Sequence, residues 1–344
     1  MSSIAPKSDV LAPVRVWLYI LAIMILAMVL VGGATRLTDS GLSITSWKPI
    51  SGMLPPLSLA DWNAEFEAYK QIPEYQQINK GFSLEEFKGI FWWEWGHRFL
   101  GRVIGLVFLF PFLVFLFQKR LNWKLAPALV TLFIMGGFQG FLGWWMVSSG
   151  LSERVDVSQY RLAAHLGAAC ILFVSILWVV RRLRPKAVIW VQQGWSPLIF
   201  ALGVMVFIQI IAGAFVAGLD AGMAYNTWPL MDGQFVPDGM DQMTPFWLNS
   251  FENITAIQFN HRMLAYVIFA MAVGLTWFAW TKTQFDGVHG WMLLIGVLVL
   301  LQVILGIFTL LFVVPIHLAL AHQGTAFVLI GAIACYLSDM SNEK

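Results

Sequence analysis

The sequence predicts an all-α membrane protein with eight transmembrane helices, arranged as two pseudo-symmetric, parallel-repeat four-helix bundles. Hydrophobic residues make up 59% of the 344-residue chain and charged residues only 12%, whereas soluble domains carry about 25% charged residues. Apolar runs recur that are long enough to cross a bilayer, which takes about 20 residues. Motifs of the first half also recur in the second half in the same order, which indicates an internal repeat.

The apolar runs alternate with connections of unequal length and charge. The eight runs cover residues 15–34, 95–117, 125–147, 161–180, 196–218, 259–280, 291–313 and 316–337. Lys and Arg collect before the first run and after the second, fourth and sixth. The positive-inside rule therefore places both termini in the cytoplasm or the matrix. The long connections, about 35–94 and 219–258, are then expected on the outer side. A net charge of +2 gives no reason to expect a nucleic-acid partner.

The first long connection carries aromatic and acidic residues at helical spacing. We expect short helices that lie over the membrane face. The alternative is a solvated linker, which would leave several large aromatic side chains exposed. These are Trp62, Phe66, Tyr69, Phe82 and Phe87.

Four pairs of motifs define the repeat. They are DSGL (39–42) with DAGM (220–223), EWGHR (94–98) with QFNHR (258–262), QGFLG (139–143) with QVILG (302–306), and AHLGAA (164–169) with AHQGTA (321–326). Since each half begins on the cytoplasmic side, the halves are parallel repeats, unlike the inverted repeats of many transporters. We expect the N-terminal bundle in residues 1–187 and the C-terminal bundle in residues 188–344.

Four of the six histidines follow the repeat: His97, His165, His261 and His322. Each lies near the start of an even-numbered run, so all four share one depth near the outer side. Bundle cores hold cofactors between facing helices. Two imidazoles per bundle are too few for a closed zinc site, but they suit the two axial positions of a haem iron.

The two remaining histidines and both cysteines have a simpler interpretation. His289 is expected in a solvated cytoplasmic loop. His317 has no repeat partner, so it is expected to be structural or to support the haem site indirectly. Cys170 and Cys335 lie inside apolar runs, where cysteine usually serves packing.

Small residues and arginines flank the repeated histidines. One helical turn after each histidine stands a small residue, which leaves room for a flat ring or allows close helix packing. These are Gly101, Ala169, Ala265 and Ala326. Four arginines are candidates for contacts with haem propionates, because a guanidinium group binds carboxylates well; alternatively, they extend to lipid headgroups. They are Arg98, Arg102, Arg161 and Arg262.

One position breaks the repeat: Glu94 corresponds to Gln258. Glu94 stands three residues before His97, so both share a helix face. A carboxyl group there could move protons or stabilise positive charge, whereas the amide of Gln258 cannot ionise. The alternative is a carboxylate paired with Arg98 or with a loop residue. One half is therefore predicted to do chemistry and the other to hold a cofactor.

The chain resembles the haem A synthase family over nearly its whole length. The segments that carry the resemblance are GGATRLTDSGLSITSWKPISGMLPP (32–56), FEAYKQIPEYQQIN (66–79), FWWEWGHRFLGR (91–102), SQYRLAAHLG (158–167), FNHR (259–262) and AHQG (321–324). The resemblance implies oxidation of a methyl group of haem O to a formyl group by successive hydroxylations, which gives haem A for cytochrome c oxidase. It also implies haem O as substrate between His97 and His165, Glu94 as the essential acidic residue, and haem b between His261 and His322.

The same resemblance suggests partners and a location. It implies haem O synthase and an electron donor as partners and contact with membrane lipid, while a homo-oligomer remains open on the sequence alone. The implied location is the bacterial inner membrane with both termini cytoplasmic, or alternatively the mitochondrial inner membrane. Two other functions remain open on the sequence alone: a diheme b-type electron-transfer cytochrome that modifies no haem, and a haem carrier.

Overall fold

The computed structural model describes residues 9–152, 154–184, 195–282 and 286–340. Within these residues the chain forms eleven α-helices and no β-strand. The helices are α1 (Ala12–Leu37), α2 (Leu59–Tyr69), α3 (Pro73–Gln77), α4 (Leu84–Phe117), α5 (Leu125–Val147), α6 (Gln159–Arg182), α7 (Trp195–Gly218), α8 (Asn249–Glu252), α9 (Ile254–Lys282), α10 (Asp286–Leu311) and α11 (Ile316–Met340).

The all-α membrane fold is confirmed. In the described part of the chain, eight helices are long and apolar enough to cross a membrane: α1, α4, α5, α6, α7, α9, α10 and α11. Each one corresponds to a predicted apolar run. Lipid offers no hydrogen bonds to the backbone, so an apolar stretch of this length is stable there only as a helix.

Helix α4 begins well before the predicted run at residue 95. Ser83 and Glu86 form a capping box, in which each side chain accepts a hydrogen bond from the backbone N–H of the other residue. Such a box satisfies N–H groups that would otherwise lack a partner in the first turn. As a result, Glu94 and His97 lie inside a continuous helix, about three turns from its start.

The contacts between helices follow two closed rings. Helices α1, α4, α5 and α6 form one ring, in which each packs against its two neighbours, and α7, α9, α10 and α11 form the other. The rings meet where α6 contacts α7 and α11 and where α1 contacts α11. The neighbour relations in the two rings are equivalent under the sequence repeat. These contacts agree with two four-helix bundles, and the pseudo-symmetry of the bundles stays a prediction.

The helices that join the two rings approach closely. A Cβ atom on Gly33 of α1 would collide with Oε1 of Gln323 on α11. At Gly331 of α11 an added Cβ would lie 2.9 Å from the rings or methyl groups of Phe173 and Leu177 on α6. Small residues at such crossings allow helix backbones to pack closely in a membrane.

Ion pairs also link the two rings at both ends. At the end that carries the long loops, here called the outer end, Arg36 binds Asp39 and Asp220, each at 2.9 Å. Both aspartates have left-handed backbone conformations, with φ of 47° and 50°, and both come from the DSGL and DAGM motifs. At the opposite end Arg181 of α6 forms an ion pair with Asp339 of α11.

The first long loop folds into a compact unit over the outer end, here called the outer cap (residues 38–91). Its apolar cluster contains Leu42, Ile44, Phe66, Tyr69, Ile72, Phe87 and Phe91, together with Val157 from the loop before α6. The rings of Phe66 and Phe87 stack with centroids 5.0 Å apart. The predicted short helices are confirmed as α2 and α3, and the solvated-linker alternative is wrong.

The minor predictions have mixed outcomes. Cys170 and Cys335 are free cysteines within α6 and α11, as expected. The loop position expected for His289 is wrong: this residue lies in α10, stacks on Trp280 and has Nε2 3.0 Å from the carbonyl oxygen of Ala279. The predicted junction between the halves, near residue 187, falls outside the described residues.

Phe87→Ala is expected to lower the free energy of unfolding of the outer cap by about 3 kcal/mol, because it removes a fully buried aromatic ring. Native-state proteolysis of the detergent-solubilised protein would measure this change. Leu57→Ala is the control, since that side chain is 77% exposed in the same loop. Equal protease resistance of the two variants would contradict the packing described for the cap.

Candidate functional site

The structure brings the four repeated histidines together as two pairs. His97 of α4 and His165 of α6 lie close enough for their charges to interact, and so do His261 of α9 and His322 of α11. All four histidines are half-buried as residues. Each ring of helices therefore holds one pair of imidazoles.

Every histidine of the two pairs faces a glycine on a neighbouring helix. A Cβ atom built on the glycine would lie 3.0 to 3.5 Å from the imidazole in each case. The contacts are Gly32 with His97, Gly143 with His165, Gly213 with His261, and Gly306 with His322. The missing side chains leave each imidazole against bare backbone, and at Gly32 and Gly306 an added Cβ atom would press on the imidazole.

Buried polar atoms without partners surround both pairs. In the described part of the chain, Nδ1 of His165 and His261 accepts or donates no hydrogen bond. The same holds for Oε1 of Gln139 and Gln302, which stand one turn before the facing glycines of α5 and α10. Buried polar atoms are usually satisfied, so these positions are suited to a ligand that is not part of the chain.

These features fit a haem with two axial histidines in each half. An imidazole pair supplies the two axial ligands, and the facing glycines keep space beside each imidazole. Among the described residues, no group of three or more His, Cys, Asp or Glu side chains is placed to hold a metal ion. Gly101, one turn after His97, lies against Met28, whose methyl carbon would be 3.0 Å from an added Cβ atom.

Gln209 of α7 is a polar neighbour of His261 that the sequence analysis missed. Its Nε2 atom lies 3.2 Å from Nε2 of His261 and donates to the carbonyl oxygen of His261 at 3.0 Å. Gly32 and Gly213 occupy equivalent positions, so the counterpart of Gln209 in the first half is Met28. The two imidazole pairs therefore differ in polarity at this position.

Glu94 is buried, with 2% of its surface exposed, and both carboxylate oxygens are fully bonded. Oε1 accepts from Nε and Nη2 of Arg98 at 3.0 and 2.6 Å. Oε2 accepts from Oγ of Ser43 at 2.8 Å and from the backbone N–H of Ile44 at 2.7 Å. Four donors stabilise the charged carboxylate. The ion pair with Arg98, stated above as the alternative, is therefore present.

Gln258 takes the same place in the second half without the charge. Its Oε1 atom accepts from Nη2 of Arg262 at 2.8 Å, and its Nε2 atom donates to the carbonyl oxygen of Ala221 at 2.6 Å. Both pairs join residues four apart on one helix face. The two halves thus share a geometry and differ in one buried negative charge.

Arg98 and Arg262 anchor the two outer loops in the same way. Nη1 and Nη2 of each arginine donate to two loop carbonyl oxygens at 2.6 to 3.1 Å. The carbonyl groups belong to Ile44 and Ser46 in the first half and to Tyr225 and Thr227 in the second. These positions have the same spacing from the DSGL and DAGM motifs, so the loops repeat along with the helices.

The other two candidate arginines also bind protein groups at the outer end. Arg102 donates to the carbonyl oxygens of Pro49 and Lys48, both at 2.9 Å, while its buried Nη1 lacks a partner among the described residues. Arg161 donates to the carbonyl oxygen of Trp145 and lies over its ring, 4.6 Å from the centroid. Contact with haem propionates stays a prediction for all four arginines, and Arg102 has a donor available for it.

A second buried carboxyl group, missed by the sequence analysis, belongs to Glu74 of α3. Burial, followed by the negative charge of Glu94, raises the pKa of Glu74 to about 8. The charges of Asp156 and Asp39 raise this pKa further, and the charge of Arg36 lowers it. The only signal for Glu74 in the sequence is its position in FEAYKQIPEYQQIN (66–79), one of the segments that carry the family resemblance.

Two cavities of the described structure lie away from the histidine pairs. One, of about 410 Å³, is lined by residues of the second long loop and the start of α9, including Tyr225, Asp238 and Glu252. The other, of about 550 Å³, is apolar and is lined by Phe308, Phe312, Pro315, His317 and Leu318. His317, at the start of α11, is therefore part of an apolar surface.

The spanning helices and the paired imidazoles define a multi-pass membrane protein of the haem-binding class. The particular family follows from comparison with known sequences. The model of the COX15-CtaA family, described as cytochrome oxidase assembly protein, matches residues 15–334. The chain belongs to this family.

Curated relatives extend the similarity to nearly full length, and each is named Heme A synthase. The chain is 54% identical to the protein from Chelativorans sp. (strain BNC1), over 92% of this chain and 88% of the relative. It is 50% identical to the protein from Parvibaculum lavamentivorans, over 94% and 93% of the two chains. For the protein from Azorhizobium caulinodans the identity is 52%, over 96% and 95%.

Arg98→Ala is expected to lower the free energy of unfolding by about 3 to 5 kcal/mol, because it leaves the Glu94 charge buried without its cation. Arg262→Ala is the matched comparison: it leaves only the neutral Gln258 amide, with an expected cost of about 1 to 3 kcal/mol. Thermal unfolding in detergent would measure both. Should Arg98→Ala melt at or above the temperature of Arg262→Ala, the buried charge has no special cost.

Proposed function

We propose that the protein is a haem A synthase, which oxidises the methyl group of haem O to a formyl group by successive hydroxylations. Membership of a family of cytochrome oxidase assembly proteins supports this function, and so does the name shared by relatives at about 50% identity. The single observation that supports an enzyme, and not only a haem protein, is the buried Glu94 carboxylate that the second half replaces with Gln258.

The N-terminal half, residues 1–187, holds the substrate in this proposal. His97 and His165 bind and orient haem O, and the outer cap limits the access of water from the outer end. Glu94 supplies a fixed negative charge, which stabilises positive charge that develops at the substrate during oxidation. Arg98 keeps that charge in place through its two hydrogen bonds with Glu94, while Arg102 and Arg161 bind the propionates in this proposal.

The C-terminal half, residues 188–344, holds haem b between His261 and His322. When bound, haem b supplies electron transfer. Arg262 is the candidate there for a propionate contact. The pair of Gln258 with Arg262 supports this division, because it lacks the buried negative charge that the proposal assigns to the reacting site.

The proposal also includes a location and partners. The protein lies in the bacterial inner membrane with both termini in the cytoplasm, in accordance with the distribution of Lys and Arg. Haem O synthase supplies the substrate, a separate electron donor reacts with haem b, and the chain forms a homo-oligomer surrounded by lipid. Its product, haem A, is made for cytochrome c oxidase, in agreement with a family of cytochrome oxidase assembly proteins.

A second candidate function is a diheme b-type cytochrome that only transfers electrons. The close similarity of the two histidine pairs and their facing glycines favours it. The difference between Glu94 and Gln258 argues against it, because electron transfer alone gives no reason for a buried carboxylate in one half.

Glu94→Ala is expected to reduce haem A formation by about 100-fold or more, since it removes a preorganised charge from the reacting site. The variant should be produced with a source of haem O, and its bound haems should be extracted and identified by mass. Gln258→Ala, at the equivalent position, should still form haem A. Accumulation of haem A at the wild-type level in Glu94→Ala would contradict the catalytic role of Glu94. Absence of haem A from the wild type as well would favour the electron-transfer cytochrome.

Replacing one of the paired histidines is expected to affect only the haem that is bound in the same half. His261→Ala or His322→Ala should remove haem b, whereas His97→Ala or His165→Ala should chiefly impair binding of haem O, because each pair supplies the axial ligands of one iron. Reduced spectra and haem extraction would measure this. His317→Ala serves as the control, and a haem loss of the same pattern from all five variants would contradict the assignment.

A further inference from the structure

Glu74 has an unusual position for a carboxyl group in a loop. It is only 5% exposed, and its Oε2 atom has no hydrogen-bond partner among the described residues. It stands in α3 between Ile72 and Tyr75, both of which pack into the apolar cluster of the outer cap. A charge in such a place would lose its hydration without compensation.

Each helix or loop around Glu74 contributes a charged or titratable group that interacts with it. They are Glu94 of α4, Arg36 and Asp39 at the end of α1, Asp156 of the loop before α6, and Tyr69 of α2. Three of these are acidic, and one is a cation. The cation, Arg36, already binds Asp39 and Asp220. Glu74 therefore sits among negative charges without a salt bridge to any described residue, which favours its neutral form.

Glu74 and Glu94 have opposite environments. Glu94 accepts four hydrogen bonds, two of them from Arg98, and is stabilised as a carboxylate. Glu74 has an unbonded buried oxygen and feels the negative charge of Glu94. A buried carboxyl group that is kept neutral in this way can act as the acid of such a pair.

The buried carboxyl pair belongs to the first half only. The acidic residues of the second long loop are all exposed: Asp220, Asp232, Asp238, Asp241 and Glu252. Gln258 replaces Glu94 there. Glu74 thus occurs in the same half as the charge that marks the reacting site.

We propose that Glu74 is the residue that carries protons from the reacting site beside Glu94 to the outer solvent. Its carboxylic acid releases a proton to water at the outer end, and the carboxylate left behind takes up a proton that the oxidation of the methyl group sets free, so the O–H bond broken in the first step forms again in the second. Glu74 does not touch the substrate. This inference rests on the proposed function, because conversion of a methyl to a formyl group removes two C–H bonds and requires hydrogen to be moved.

The first part of the test measures the proton on Glu74 and needs no enzyme activity. Because the pKa of Glu74 is raised, the folded protein keeps a proton on this carboxyl group at pH values above 4.5. The unfolded chain, in which the carboxyl group has its ordinary pKa of 4.5, has released that proton. Stability should therefore fall as the pH rises from about 5 to about 9. Glu74→Gln removes this contribution. The melting temperature of the variant, relative to that of the wild type, should therefore increase as the pH rises. Glu67→Gln is the control, with a carboxylate 66% exposed on α2.

The second part measures turnover of the full-length protein loaded with haem O. Glu74→Gln should keep the wild-type haem content but form haem A at least about tenfold more slowly, with a changed pH profile. Glu74→Asp, which keeps an ionisable group, should recover part of the rate. Glu67→Gln should match the wild type in rate and pH profile.

The outcomes separate this inference from the proposed function. A wild-type rate in Glu74→Gln, or loss of its bound haem, would overturn the role of Glu74 in proton exchange. A pH dependence of melting identical to that of the wild type would do the same. If the wild type and Glu67→Gln form no haem A, the proposed function fails, and the melting measurements still decide whether Glu74 holds the proton.

Discussion

A single buried ion pair, Glu94 with Arg98, joins the outer cap to the membrane-spanning part of the first half. Arg98 binds the carboxylate and two loop carbonyl oxygens at once, and Glu94 binds the loop through Ser43 and Ile44. Burying two charges is costly unless both are fully hydrogen-bonded, so the first loop has to follow this path. The same loop leads into the cap that buries Glu74, and the same helix carries His97 one turn later.

The repeat shows what this charge adds. In the second half, Arg262 binds Gln258 and equivalent loop carbonyl groups, so an amide is sufficient to hold the loop. The imidazole pairs and their facing glycines are common to both halves. Polarity differs at two positions near the pairs, Glu94 against Gln258 and Met28 against Gln209. Two similar sites can therefore serve different purposes, one in which charge assists a reaction and one in which a cofactor is held.

Much of this arrangement was predictable because a membrane makes hydrophobicity decisive. The apolar runs predicted the eight spanning helices, and the repeat predicted which histidines belong together. The start of α4 was placed too late, since the apolar count ignored the capping box of Ser83 and Glu86. Glu74 was missed because its burial results from the packing of α3 within the cap, which no local pattern in the chain reveals. Gln209 was missed because it lies outside the repeated motifs.

The central claim is that the half carrying Glu94 holds the substrate. The most direct test is an electron cryomicroscopy structure of the protein with haem O and haem b bound. The account predicts haem O between His97 and His165, with its reacting methyl group on the side of the Glu94–Arg98 pair, and haem b between His261 and His322. Haem O bound between His261 and His322, or a reacting methyl group on the side of the ring away from Glu94, would contradict it.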